Sequence, residues 1–133
     1  MGKAKEPKSG VLPQRETYER MNFLYQSAQF YAQLSQNSNP ETSLLPLARF
    51  YSKEMRSIAR KSVSRLSPHL KRGICKVCST PLLPGISCTK RASRGARRPR
   101  VTTTCTYCGT HKSLPSNPDY VLFVDRPEHK TIH

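Results

Sequence analysis

The chain has 133 residues, a length that suits one domain or a small domain with an appendage. Its 23 Lys and Arg against 8 Asp and Glu give a formal net charge of +15. Self-repulsion of that size opposes folding and points to a polyanionic partner. No apolar run approaches the ~20 residues that cross a bilayer, and the first residues are charged rather than apolar. A membrane or secreted role is therefore not expected, and five cysteines in such a chain favour metal ligation over disulfides.

Residues 1–15 are rich in Lys, Pro and Gly without apolar period and are expected to form a flexible basic arm. From Glu16 to Gln36 there is no Gly or Pro, and Met21, Leu24, Tyr25, Ala28, Tyr31 and Ala32 recur at three- to four-residue spacing, which predicts a helix. Asn37-Ser38-Asn39-Pro40 breaks it. A second helix is predicted over residues 43–67, with Pro46 in its first turn and Pro68 beyond its end. At about 100° per residue, Leu47, Tyr51, Met55, Ile58 and Leu66 fall on one side of it. Arg49, Lys53, Arg56 and Arg60 form an opposite stripe, expected to meet solvent or phosphate. The two helices are expected to pair antiparallel over residues 16–70. Helix 1 is apolar over more of its circumference than one helix covers, so Phe23, Phe30 and Leu34 are left to the remainder of the chain or, the favoured alternative, to another protein.

Two Cys-x-x-Cys pairs follow, Cys75/Cys78 and Cys105/Cys108, separated by 26 residues. A two-residue gap lets both sulfurs of a pair converge on one ion, and two pairs complete a tetrahedral four-thiolate site, so the spacing predicts a structural zinc ribbon over residues 71–114. Pro84-Gly85 marks a turn, Ile86–Lys90 and Arg100–Thr104 read as strands, and Thr110–Leu114 is expected to add a third. At the tip, Lys90, Arg91, Arg94, Arg97, Arg98 and Arg100 place six cations within eleven residues, a pattern suited to phosphate oxygens. Cys88 is expected to be a packed small apolar residue rather than a fifth ligand. In the tail, residues 115–133, the stretch 119–125 reads as a short strand. The predicted fold class is thus small α+β: a helix hairpin, then a four-cysteine ribbon with three strands.

Catalysis by the chain itself is not expected. Two-metal hydrolysis needs clustered carboxylates, whereas the eight acids are scattered, and a zinc closed by four thiolates keeps no position for water. No phosphate-binding glycine loop or activated nucleophile is apparent either.

The helix-1 string Arg20-Met21-Asn22-Phe23-Leu24-Tyr25-Gln26, the helix-2 opening Pro46-Leu47-Ala48-Arg49-Phe50-Tyr51, the approach Lys71-Arg72-Gly73-Ile74 to Cys75, and Cys105-Thr106-Tyr107-Cys108-Gly109 together resemble the zinc-ribbon protein subunit of archaeal and eukaryotic ribonuclease P. The resemblance covers about residues 16–114. It implies a non-catalytic subunit of a ribonucleoprotein whose RNA, with Mg²⁺, removes 5′ leaders from precursor tRNA. It implies zinc on Cys75, Cys78, Cys105 and Cys108, and an Sm-like β-barrel subunit paired with the N-terminal helices. Basic residues before the first knuckle fit through Lys71 and Arg72, while the last strand keeps only Lys112 where relatives often show two basic residues and an aromatic. The implied location is nucleus and nucleolus for a eukaryotic protein, cytoplasm for an archaeal one. The related ribonuclease MRP subunit, another ribosomal or transcriptional zinc-ribbon module, and a protein-interaction scaffold are the alternatives.

Overall fold

The structure, a computed structural model, describes residues 14–37, 39, 42–93 and 98–129. Most of the expected basic arm, and Arg94 and Arg97 of the expected fingertip, lie outside the described residues. Helix α1 (Arg15–Leu34) continues into a 3-10 turn at Ser35–Asn37, and α2 (Leu45–Lys61) follows. They run antiparallel: Tyr31 near the end of α1 stacks on Tyr51 in the first half of α2, while Met21 near the start of α1 shares a cluster with Ala59 near the end of α2.

The α1 face is the one expected, with Met21, Leu24, Ala28 and Ala32 buried and Tyr25 and Tyr31 half-buried. The α2 face is rotated from the expectation. Ala48, Ser52, Met55 and Ala59 are buried, whereas Leu47 is exposed. The expected α2 face rests on large apolar side chains alone, but small ones let two helix backbones approach closely, and closeness rather than residue size decides what water leaves. Ala28, Ala32, Ala48 and Ser52 all lie toward the loop end of the hairpin. Toward the other end, Met21, Leu24, Met55 and Ala59 enclose Ile74, the residue before the first ribbon cysteine.

Helix α2 also stops at Lys61, short of the expected Ser67. Val63 adopts φ 54, its N–H donates to the Arg60 carbonyl, and the Ser64 N–H donates to the Ala59 carbonyl. That pair of bonds closes a helix as a Schellman motif does, normally with glycine in the left-handed position. A β-branched residue there gives no warning in the sequence. Ser62 Oγ donates to the Ile58 carbonyl, adding to the termination. Leu66 therefore packs against the core from the connection rather than from the helix. A short helix α3 (Pro68–Arg72), capped by Ser67, then delivers the chain to Gly73 and Ile74.

Strands β1 (Cys88–Ser93), β2 (Arg100–Cys105) and β3 (His111–Pro115) form an antiparallel sheet in the order β1-β2-β3. Cys88 faces Cys105, Lys90 faces Thr103, and Thr103 faces Lys112. The fold is the small α+β arrangement of hairpin and ribbon. The tail does not form the expected strand at 119–125. It makes 3-10 turns at Phe123–Asp125 and Pro127–His129, and Asp125 Oδ2 lies 2.9 Å from His69 Nε2. A strand needs a neighbouring edge to pair its backbone. Here the Asp125–His69 contact carries the tail to α3, with Pro118 and Pro127 bracketing the segment.

Candidate metal centre and nucleic-acid interface

The ribbon holds Cys75, Cys78, Cys105 and Cys108 with their sulfurs all within 4.8 Å of one another. Cys75 and Cys108 are 3.5 Å apart and Cys78 and Cys105 3.6 Å. A tetrahedral ion with metal–sulfur bonds of about 2.3 Å sets its ligands roughly 3.8 Å apart, so the four thiols fit such an ion. Cys88, fully buried, lies outside the cluster.

The two halves of the site repeat one local structure. The Ser79 N–H donates to the Cys75 carbonyl and the Gly109 N–H to the Cys105 carbonyl. Cys75 N–H is paired with the Thr80 carbonyl as Cys105 N–H is with that of Thr110. Ser79 and Gly109 both have positive φ, 60° and 71°. The Thr80 and Thr110 hydroxyls each sit 3.0 Å from the second sulfur of their pair. The sequence signature is Cys-x-x-Cys-(Ser/Gly)-Thr, present twice. Its threonines carry no metal-ligand signal of their own, although the repeat is visible once the two pairs are aligned.

Backbone dipoles favour thiolate charge at the site, and burial opposes it. N–H groups of Val77 and Cys78 reach the Cys75 sulfur, and those of Tyr107 and Cys108 reach the Cys105 sulfur. Without a cation, burial outweighs these dipoles and pushes the Cys75 thiol up to about 12, with Cys105 also raised by burial. Cys108 is exposed, and the hydroxyl and N–H of Thr110 bring it down to about 6. A divalent ion among the sulfurs supplies the positive charge that buried thiolates lack.

Two of the helix-2 cations serve the ribbon instead of facing outward, which corrects the expectation of a free stripe. Arg56 Nη1 donates to the carbonyls of Cys75 (3.3 Å) and Lys76 (3.2 Å) and to Ser79 Oγ (2.8 Å). The Arg49 guanidinium lies 3.7 Å from the centre of the Tyr107 ring, in the second pair. Helix α2 thus grips both knuckles, and the two-turn separation of Arg49 and Arg56 sets two contact points on one helix face. Lys53 and Arg60 stay exposed.

The remaining cations divide by strand alternation. Lys90 and Lys112 share one sheet face with Val101, Thr103 and Leu114, whereas Arg91 and Arg100 belong to the other. Arg98 is exposed at the tip, and Lys71 and Arg72 are exposed on α3. Lys76, inside the first pair and exposed, is a further cation beside this face, hidden in the sequence because it stands alone between two ligands. On the hairpin, Phe23 and Phe30 are 64% and 56% exposed, with Leu34 at 43% and Phe50 at 56%. Phe30, Tyr31, Tyr51 and Phe50 form a chain of edge and stacked ring contacts across the two helices.

A family profile described as "RNAse P Rpr2/Rpp21/SNM1 subunit domain" matches residues 20–109, through both hairpin and ribbon. "Ribonuclease P protein subunit p21" of Mus musculus is 38% identical over 120 residues, covering 90% of this chain and 76% of the relative. "Ribonuclease P protein component 4" of Methanopyrus kandleri is 37% identical over 113 residues, covering 82% and 78%. A chain of the solved archaeal ribonuclease P with mature tRNA superposes with a TM-score of 0.65 at 29% identity, covering 85% of each chain. The chain therefore belongs to the Rpr2/Rpp21/SNM1 family of ribonuclease P subunits.

Proposed function

We propose that this protein is a non-catalytic, RNA-binding subunit of ribonuclease P that supports removal of 5′ leaders from precursor tRNA by the RNA component, with one structural zinc ion on its four cysteines. The carrying observation is the family match running through hairpin and ribbon together, where a ribbon alone would fit many proteins. Four thiolates fill a tetrahedral ion and favour zinc, which leaves it a scaffold with no position for substrate water. Any Mg²⁺ chemistry then belongs to the RNA.

In this reading the cations outside the α2 grip contact phosphate: Lys53, Arg60, Lys71, Arg72, Lys90, Arg91, Arg98, Arg100 and Lys112, with Arg94 and Arg97 of the fingertip. Arg49 and Arg56 act first as struts for the knuckles. Phe23, Phe30 and Leu34 supply the face for an Sm-like β-barrel subunit, supported by their exposure and the ring contacts around Phe30. The eukaryotic location would be nucleus and nucleolus.

Affinity purification of the tagged protein tests the reading. The expected result is one discrete RNA together with precursor-tRNA 5′-cleavage activity, and recovery of a polymerase or ribosome instead would overturn it. Replacing Arg94, Arg97, Arg98 and Arg100 by Ala should flatten the log–log salt dependence of RNA binding by about 0.7 for each single-strand phosphate that is no longer neutralised. Unchanged affinity at unchanged slope would remove the fingertip from the interface.

A further inference from the structure

A cleft of about 180 Å³ lies between one face of the ribbon sheet and the segment leading into the first pair of cysteines. Its sheet side carries Val101 and Leu114, directly paired across β2 and β3, and the adjacent row Lys90–Thr103–Lys112. Its other wall is Ile74 and Leu82, with Arg72 and Lys76, and Cys75, Cys105 and Thr110 of the cysteine cluster also line it. The arrangement is an aliphatic slot bordered by four cations from three parts of the chain. A second hollow of about 370 Å³ continues it past Lys76 and Lys112 toward Lys71 and Arg56. Among the described residues, no Asp or Glu lines either hollow.

Two properties select the occupant. The cations answer negative charge, and their placement around an apolar slot separates charge at the border from a nonpolar group inside. The slot is smaller than the roughly 300–1,000 Å³ of pockets that enclose whole drug-sized ligands, so it takes a flat ring system and leaves the attached charged groups at the mouth. A nucleotide has that division, with a ring whose faces are apolar and a phosphate on either side. Fingertip contacts read only phosphates, whereas an unstacked base in a slot adds contact that a rigid duplex does not offer.

We infer that this cleft receives one unstacked nucleobase from a single-stranded segment of RNA, with Arg72, Lys76, Lys90 and Lys112 on the flanking phosphates. The inference rests on the RNA-binding reading above and extends it to a defined subsite. The slot has no aromatic platform, so it holds a base by aliphatic contact and is tolerant of sequence.

The test uses the full-length, zinc-loaded chain and a short unstructured oligoribonucleotide, compared with the same oligonucleotide carrying abasic positions. Abasic probes keep every phosphate, so burial of one base face against aliphatic side chains predicts at least about fivefold weaker binding for the abasic probe at an unchanged salt slope. The near-isosteric Val101→Thr and the smaller, polar Leu114→Thr should shrink that discrimination without altering the slope. In the unaltered protein, the methyl resonances of Ile74, Val101 and Leu114 should shift with intact RNA and much less with the abasic probe. Equal affinity for both probes with unshifted methyls would overturn the cleft while leaving RNA binding in place. Failure to bind RNA even at low salt would overturn both. Stronger methyl shifts from a Glu-rich, leucine-containing peptide that displaces the oligonucleotide would assign the slot to a protein partner instead.

Discussion

Arg56 shows how a charged residue changes meaning with its surroundings. Read along helix α2 it belongs to a basic stripe, yet in three dimensions its guanidinium holds two knuckle carbonyls and the Ser79 hydroxyl. Ser79 is itself buried, in a left-handed conformation, so the contact fixes a backbone turn that the metal site needs. Arg56→Ala should destabilise the metal-loaded protein by about 1–3 kcal/mol, since it removes a charged donor to three acceptors and strands partly buried ones among them. Thermal unfolding measures this, and a loss below about 0.5 kcal/mol, ordinary for a surface change, would exclude the strut role. All three bonds leave one nitrogen, Nη1, so Arg56→Lys keeps a charged multi-proton donor but on a shorter, more flexible stem, and should recover part of the loss. The four clustered cysteines were legible because Cys-x-x-Cys spacing acts locally. Arg56 and Arg49 were not, because their partners lie in another element.

At the scale of elements, α1 was legible from its period and α2 only in part. Its end is set by Val63, a residue type that gives no stop signal and whose left-handed backbone costs roughly 1–2 kcal/mol. Val63 is 88% exposed, so replacing it removes little packing. Val63→Gly should therefore raise stability by about 1 kcal/mol, the strain relieved less the entropy that glycine adds to the unfolded chain. Urea denaturation should show a higher midpoint at unchanged m-value, and a lower midpoint would mean that the Val63 conformation carries no strain. The three strands form within a few residues of their expected places; the β-branched run Val101–Thr104 marks β2, and the Pro84-Gly85 turn precedes β1. The tail departs from expectation: Val121 to Val124 has strand composition, but the backbone turns at Phe123–Asp125, where Asp125 meets His69 on α3.

For the whole molecule, hairpin and ribbon meet through Ile74 in the core and through the two arginine contacts from α2. The hairpin buries its own seam, whereas the ribbon has a small core centred on the sulfurs. Removing the metal with a chelator should unfold the ribbon and leave much of the helical signal in far-ultraviolet circular dichroism. Simultaneous loss of helix would show instead that the hairpin depends on the ribbon. The sequence by itself determined the charge, the two cysteine pairs, the order of hairpin and ribbon, and the family resemblance, all of which reside in composition, local spacing or short contiguous strings. Only the tertiary structure decided which cations are struts and which remain exposed, and which strand residues share a face with α3 and the first knuckle. Those properties arise from approach between segments distant in the chain, where burial and hydrogen-bond partners are set by the packed neighbour rather than by the residue type.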